Sequence, residues 1–367
     1  MNKLDYHNVK KILAGKKILV TGHTGFKGSW LSIWLNDLGA SVSGYSLKPP
    51  TSPSNFEICG VENLLRGHYI GDIRDKRNLD SVIKDVLPEI IFHLAAQPIV
   101  KDGYIDPIMT LETNVLGTAN VLEAVRRNDH PCAIVVVTSD KCYRNEEQVW
   151  GYRESDALGG YDPYSASKAA AEIVAESYRS SFFNTKDYSR HGVSLATARS
   201  GNVIGGGDWA PGRIMTDIIQ SLNSSSPITL RNPNSIRPWQ HVVEPLFGYL
   251  VLAAHLLNEP DGPACSAWNF GPLSDSAVSV RSIAELAIRD WGRGGVENRS
   301  PLPQLHEASI LRLSIDKASA QLGWSPIWNV QESVKRCVDW YRAFYAGQGI
   351  DMLDITRSDI ASYTLER

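Results

Sequence analysis

The sequence predicts an α/β protein: a doubly wound parallel sheet with a smaller α/β region woven into its second half. Three observations carry this. Short apolar runs alternate with amphipathic stretches up to Ala198, the pattern of parallel strands joined by crossover helices. The first apolar run, Ile18-Leu19-Val20-Thr21, passes into Gly22-His23-Thr24-Gly25-Phe26-Lys27-Gly28, a glycine-punctuated turn that feeds an amphipathic stretch. After Arg199 the texture changes to a glycine-rich loop, short strands and scattered helices.

The 367 residues can bury a sizeable core in one large or two moderate domains. Hydrophobic residues make up 43% and charged residues 21%, which excludes a disordered chain. A net charge of −3 gives no basic footprint for nucleic acid. No apolar run reaches the roughly 18 residues of a membrane span, and residues 1–7 hold no signal-peptide core. The five cysteines are scattered without C-x-x-C spacing, which argues against a disulfide framework or a metal site and for a reducing, cytoplasmic setting.

Residues 1–15 read as a polar lead-in with a short helix. In the strand–turn–helix that follows, backbone N–H groups and the positive end of the helix dipole make an anion site. The spacing is G-x-x-G-x-x-G, so a dinucleotide pyrophosphate cradle and a plain tight turn both fit. Ala40–Gly44 is the second strand. In NAD-binding folds this strand closes on an acidic residue that bonds the ribose. Here it runs Gly44-Tyr45-Ser46-Leu47-Lys48, without a carboxylate. Ser46 offers a weaker hydrogen bond and Lys48 suits a 2′-phosphate, so NAD and NADP stay open.

His68–Asp75 reads as a short strand and turn, Leu79–Val86 as a helix, and Glu89–Gln97 as a buried strand ending in Ala95 and Ala96. Those small residues let a ligand lie against the backbone, or simply pack tightly. Asn114–Arg126 is a helix and Ala133–Val137 a buried strand. Thr138-Ser139-Asp140-Lys141-Cys142-Tyr143 lies just beyond its carboxyl end, the edge where function collects in an open α/β sheet. Tyr164 and Lys168 stand four apart at a helix start and share a face. A phenol titrates near 10, and a nearby ammonium favours the phenolate, which makes Tyr a base. A surface Tyr–Lys pair is the alternative; a hydroxyl at the preceding strand end, Ser139 or Thr138, tips the reading towards a site.

Val193–Ala198 is a further strand. Then come the loop Arg199–Trp209, a helix near Ile214–Leu222, a short strand near Ile228–Arg231 and a long helix Val243–Leu257. Arg213, Arg231 and Arg237 are candidate anion anchors. The domain reading is 1–199 for the dinucleotide-binding part with 240–265 returning to it, 200–239 and 266–347 for a substrate part, and 348–367 for a tail.

Taken together, Thr21-Gly22-x-x-Gly25-Phe26-x-Gly28, Gly71-Asp72-Ile73, His93-Leu94-Ala95-Ala96 and Tyr164-x-x-x-Lys168 resemble the extended short-chain dehydrogenase/reductase superfamily over roughly residues 16–345. Within it the sequence resembles the CDP-glucose 4,6-dehydratases. The carrying stretches are Thr21–Leu31, Ala95–Pro98, Thr138–Tyr143, Gly159–Ser165, Gly201–Trp209, Ile236–Val242, His306–Ala308 and Leu322–Pro326.

The resemblance implies a Rossmann-type fold and NAD as cofactor, since that family uses NAD despite a similar second-strand end. It implies cofactor contacts at Gly22, Thr24, Gly25, Phe26, Lys27, Gly28, Ser46, Asp72 (near the adenine), Ile73, Leu94, Ala95, Ala96, Asn114, Tyr164 and Lys168. It implies substrate contacts at Gln97, Asn202, Arg213, Arg237 and His306, with CDP-D-glucose as the substrate. Tyr164 would take the 4-hydroxyl proton while hydride leaves C4. Lys168 would depress the Tyr164 pKa and hold the nicotinamide ribose, and Ser139 would bond the 4-oxygen. Asp140, kept neutral, would protonate the leaving 6-hydroxyl before hydride returns to C6. Related thymidine-nucleotide dehydratases carry Asp-Glu where this chain has Asp140-Lys141. Lys141 is therefore a candidate C5 base, with charge-pairing to Asp140 as the alternative. The resemblance further implies a homodimer or homotetramer and a place in deoxysugar biosynthesis for surface polysaccharide, the lipopolysaccharide O-antigen. A sugar-nucleotide 4-epimerase or reductase, or a non-catalytic NAD(P)-binding sensor, are the competing readings.

Overall fold

Buried strands in this chain carry apolar side chains on both faces, and that decides the layering. Successive side chains of a strand point to opposite faces. Ile18, Val20, Ile90, Phe92 and Val135 enter one apolar core, whereas Leu19, Ile91, Ile134 and Val136 enter another. A sheet covered on both faces is the usual home of parallel strands. The structure is a computed structural model that describes residues 1–367 apart from 2, 231, 274–276, 299–309 and 348.

The main sheet has seven strands: β1 (Lys17–Thr21), β2 (Ser41–Ser46), β3 (Gly67–Ile70), β4 (Ile90–His93), β5 (Cys132–Val137), β6 (Val193–Ser200) and β7 (Ala267–Phe270). Their order is β7-β6-β5-β4-β1-β2-β3, and every pairing is parallel. The first core is closed by Trp30 and Trp34 of the helix Phe26–Asp37 and by Leu246 and Leu250 of the helix Val243–Asn258. The second core is closed by Leu79 and Val82 of Lys76–Val86, Val121 and Leu122 of Gly117–Asn128, and Ala175 of Pro163–Ser181. This is the doubly wound α/β fold that the alternation predicts.

Three short pairs build the second region: Val203–Ile204 with Gln240–His241, Ile236–Pro238 with Ala277–Ser279, and Ile228–Leu230 with Val296–Asn298. Ile204, Ile228 and Leu230 run into the first core, so the two regions share one apolar body.

Two parts of the sequence reading are corrected here. Ala267–Phe270 pairs with β6, so these residues are the sheet's edge strand rather than part of the substrate half. Residues 348–367, read as a tail, contain the helix Met352–Leu365, capped by Asp351. Tyr363 and Ile360 of that helix lie in the first core, where Tyr363 packs edge-on against Trp34. Its phenol donates a 2.6 Å hydrogen bond to Glu244, a fully buried carboxylate that also accepts from the backbone of Ile327 and Trp328. A hydrogen bond to a buried charge contributes roughly 1.5–3 kcal/mol. Tyr363→Phe therefore lowers stability by about 2 kcal/mol in urea unfolding.

Candidate active site

The strand order reverses between β1 and β4, and in open α/β sheets ligands bind in the crevice beyond the carboxyl ends at such a point. The glycine turn and Leu94-Ala95-Ala96 line that crevice. Gly22 has a φ of +78°, and a Cβ there would meet the Ala95 amide nitrogen at 2.7 Å. A Cβ at Gly28 would sit 2.1 Å from the Gly22 carbonyl oxygen, so the helix can approach the turn only without one. The helix Phe26–Asp37 starts at Gly25 with no side-chain cap, leaving its first-turn N–H groups to an incoming anion. Thr21 Oγ1 lies 2.7 Å from His93 Nδ1 and accepts from the Ala95 N–H at 3.2 Å. Burial pushes the His93 imidazole down to about 3, so it is a neutral hydrogen-bonding strut. A small-residue floor, open helix N–H groups and the nearby ammonium groups of Lys27 and Lys168 fit a dinucleotide diphosphate.

At the ribose end, Thr24 Oγ1 lies 2.9 Å from Ser46 Oγ and donates to the Leu47 carbonyl at 2.8 Å. Lys48 is exposed. Asp72 is gripped by Arg74, whose guanidinium holds the carboxyl below its usual range. The Ile73 side chain does not face the crevice; it packs in the second core under Gly117. Asn114 lies in a π-type turn, Glu112–Leu116, ahead of the helix that was expected to include it. Its amide bonds Ser167 Oγ at 2.8 Å and both backbone groups of Gln97, tying the β4 loop to the helix Pro163–Ser181. Gln97, expected on the substrate, has its side-chain oxygen and nitrogen both engaged by the backbone of Ile99, at 2.8 Å each. It closes its own turn.

The helix Pro163–Ser181 begins because Asp162 caps it and Pro163 occupies its first position. Tyr164 and Lys168 are both buried on its inner face. The β5 end supplies Ser139, whose hydroxyl donates to Asp140 Oδ1 at 3.0 Å and bears on the Tyr164 phenol. Asp140 is buried, and its Oδ2 has no hydrogen-bond partner among the described residues. Burial pushes its carboxyl up, against the opposing pull of Lys141, Ser139, Arg237 and Lys27. A Cβ at Gly201 would meet Oδ2 at 2.9 Å, so that glycine leaves the carboxyl its room.

Burial also pushes the Tyr164 phenol up to about 12, despite the Ser139 hydroxyl and the charge of Arg213. The expected depression by Lys168 is corrected here: loss of water around the phenol outweighs any such pull. Lys168 is itself held down to about 8 by burial, with Glu172 working the other way. Lys27 Nζ donates to Ser200 Oγ at 2.8 Å; burial and the charges of Arg213 and Lys168 bring it down to about 7. Lys141 is half-buried and makes no contact ion pair with Asp140, so its charge reaches that carboxyl through space.

On the substrate side, Asn202 is half-buried beside Gly201, its carbonyl accepting from Gln240 N–H at 3.1 Å. Arg213 pairs with Asp208 at 3.2 Å, and its charge reaches Tyr164 and Lys27. Arg237 is buried, and its charge bears on Asp140. Arg231 and His306 lie outside the described residues. The site therefore gathers Ser139, Asp140, Lys141, Tyr164, Lys168, Lys27, Arg213 and Arg237. The sequence reading missed Glu172 and Arg199, a buried ion pair at 2.7 Å directly behind Lys168. One signal was present: Glu172 continues the four-residue step from Tyr164 through Lys168.

Residues 19–262 match a family profile described as GDP-mannose 4,6 dehydratase. The chain is 49% identical over 354 residues to a CDP-glucose 4,6-dehydratase of Salmonella typhimurium, covering 96% of this chain and 98% of that one. It is 25% identical over 350 residues to a CDP-paratose 2-epimerase of Salmonella typhi, covering 88% and 98%. Its fold is similar to that of a Thermus thermophilus UDP-glucose 4-epimerase solved with NAD, at a TM-score of 0.73, 24% identity and coverage of 89% and 98%. A Bacillus anthracis dTDP-glucose 4,6-dehydratase solved with NAD gives a TM-score of 0.73 at 21% identity, covering 89% and 96%.

Proposed function

The chain belongs to the GDP-mannose 4,6-dehydratase family, and we infer that it is an NAD-dependent sugar-nucleotide 4,6-dehydratase of deoxysugar biosynthesis, converting CDP-D-glucose to CDP-4-dehydro-6-deoxy-D-glucose and water. The observation that carries the reading is Asp140: a buried carboxyl, pushed up by its burial, with one oxygen unpartnered among the described residues, next to Ser139. Sugar oxidation alone needs the Tyr/Lys pair. Elimination of water needs in addition an acid for the leaving hydroxyl, and Asp140 is of the right kind.

The glycine turn and the Ala95-Ala96 floor would hold the cofactor diphosphate, and Lys168 would hold its nicotinamide ribose. When bound, the cofactor would supply reversible hydride-transfer chemistry and a positive charge that favours the Tyr164 phenolate. Tyr164 then takes the 4-hydroxyl proton while Ser139 bonds the 4-oxygen. The 4-ketone acidifies the C5 proton, which Lys141 removes when it stands as the neutral amine, and Asp140 delivers its proton to the departing 6-hydroxyl. Asn202, Arg213 and Arg237 bind the substrate diphosphate.

Lys141→Ala separates these steps. Dehydration and solvent-deuterium exchange at C5 fall about 10²-fold, while sugar oxidation, followed by absorbance of the reduced cofactor, persists. Full C5 exchange in that variant would remove Lys141 from the base role.

Second copies of the chain are the fitting occupants of an apolar surface formed by Ile105, Ile108, Leu116 and Ile173, all more than half exposed on helices that pack together. A homodimer or homotetramer covers it. Five free cysteines, and no helix among the described residues long and apolar enough to cross a membrane, support a cytoplasmic setting.

A further inference from the structure

Glu172 shares a helix face with Tyr164 and Lys168. Its carboxylate is buried and fully engaged. Oε1 accepts from Thr138 Oγ1; Oε2 accepts from Thr197 Oγ1 at 2.8 Å and from Arg199 Nη2 at 2.7 Å. Thr138 precedes Ser139 at the end of β5, and Thr197 and Arg199 lie in β6. One side chain thus ties the helix that carries Tyr164 to the strand end that carries Ser139. Arg199 extends the tie by donating to Tyr143 Oη at 2.8 Å, and Tyr143 Oη donates to Asn269 Oδ1 of β7 at 2.7 Å.

The groups facing Lys168 come from four elements: Glu172 on its own helix, Cys142 in the turn after β5, His93 at the end of β4, and Lys27 at the start of the first crossover helix. Burial pushes the Cys142 thiol well up and the His93 imidazole down, so both are neutral near pH 7. Lys27 is a like charge. Of these groups only Glu172 is an anion, and burial alone would drive Lys168 towards its neutral amine.

We propose that Glu172 is a positioning residue for the dehydratase reaction: its charge keeps Lys168 an ammonium, and its hydrogen bonds hold Ser139 and Tyr164 in line. Arg199 anchors it from behind, engaging the second carboxylate oxygen so that the side chain keeps one orientation. This rests on the reading of Lys168 as the partner of Tyr164.

The test is the titration of Lys168 in the ligand-free protein, read by competitive acetylation with acetic anhydride and peptide mass spectrometry across pH. Glu172→Gln moves the Lys168 titration point down by about one pH unit. The basic limb of the kcat profile with CDP-glucose moves with it, while KM changes less than twofold. Thr197→Val removes one hydrogen bond to Glu172 but keeps its charge, and leaves the titration point where it was. An unmoved titration point in Glu172→Gln overturns the proposal, as does an equal displacement in Thr197→Val. If Glu172→Gln alone fails to fold, Glu172→Gln combined with Arg199→Met removes both buried charges and carries the same test. Absence of turnover with CDP-glucose would overturn the dehydratase reading, and the Lys168 titration would still decide the role of Glu172.

Discussion

Tyr164→Phe abolishes oxidation of the sugar, lowering kcat by about 10³-fold while cofactor binding changes little. The phenol is buried, close to the Ser139 hydroxyl, and carried on the same helix face as Lys168. Phe keeps the ring and its packing but has no oxygen to accept the 4-hydroxyl proton. Every later step depends on the 4-ketone, so dehydration and C5 exchange disappear together. The ligand-free phenol stands near 12 because burial dominates. Positive charge added by the bound cofactor is therefore needed for Tyr164 to act near neutral pH. Measured by single-turnover absorbance, the variant shows no reduced cofactor. Retention of wild-type oxidation in Tyr164→Phe would place the base elsewhere.

Asp140→Asn has an effect of similar size on a different step. Asn matches the carboxyl in shape but carries no acidic proton. Oxidation at C4 continues, and elimination falls by about 10²–10⁴-fold. Reduced cofactor and the 4-keto sugar then accumulate, a state the wild type passes through quickly. The pH dependence follows from the sign of the shift. The Asp140 carboxyl is held above its usual range by burial, so the acid form is available below that raised value. Dehydration is lost as pH rises through it. In Asp140→Asn that dependence vanishes from the residual rate. Full product formation in Asp140→Asn would assign the acid to another group.

The parts of the molecule legible in the sequence are those in which local pattern and tertiary outcome agree. Strands β1, β4 and β5 are apolar runs between helical stretches, and burial on both faces of the sheet demands such runs. The edge strand β7 is legible as a strand and turn at Trp268-Asn269-Phe270-Gly271, but its place beside β6 is not, because that pairing joins residues some 70 positions apart. The last helix hides for a different reason: its buried face includes Thr356 and Asp359, polar residues that blunt the helical period.

In the site, Tyr164 and Lys168 are legible because their spacing alone puts them on one face. Ser139 and Asp140 are legible because the end of a buried strand is where ligands meet the sheet. Gln97 and Ile73 show the limit. Both sit in motifs that border a ligand, yet one side chain folds back on its own turn and the other enters the core. Sequence position places a backbone; side-chain direction follows from neighbours distant in the chain. Glu172 is the converse. Its spacing is plain, but its importance depends on Thr138, Thr197 and Arg199 converging on it.

Incubation of the purified protein with CDP-glucose and NAD, followed by mass spectrometry of the sugar nucleotide, reads the reaction directly. A product lighter than the substrate by one water, formed with no net reduction of the cofactor, is the predicted result. An isomer of unchanged mass, or unreacted CDP-glucose, would contradict it.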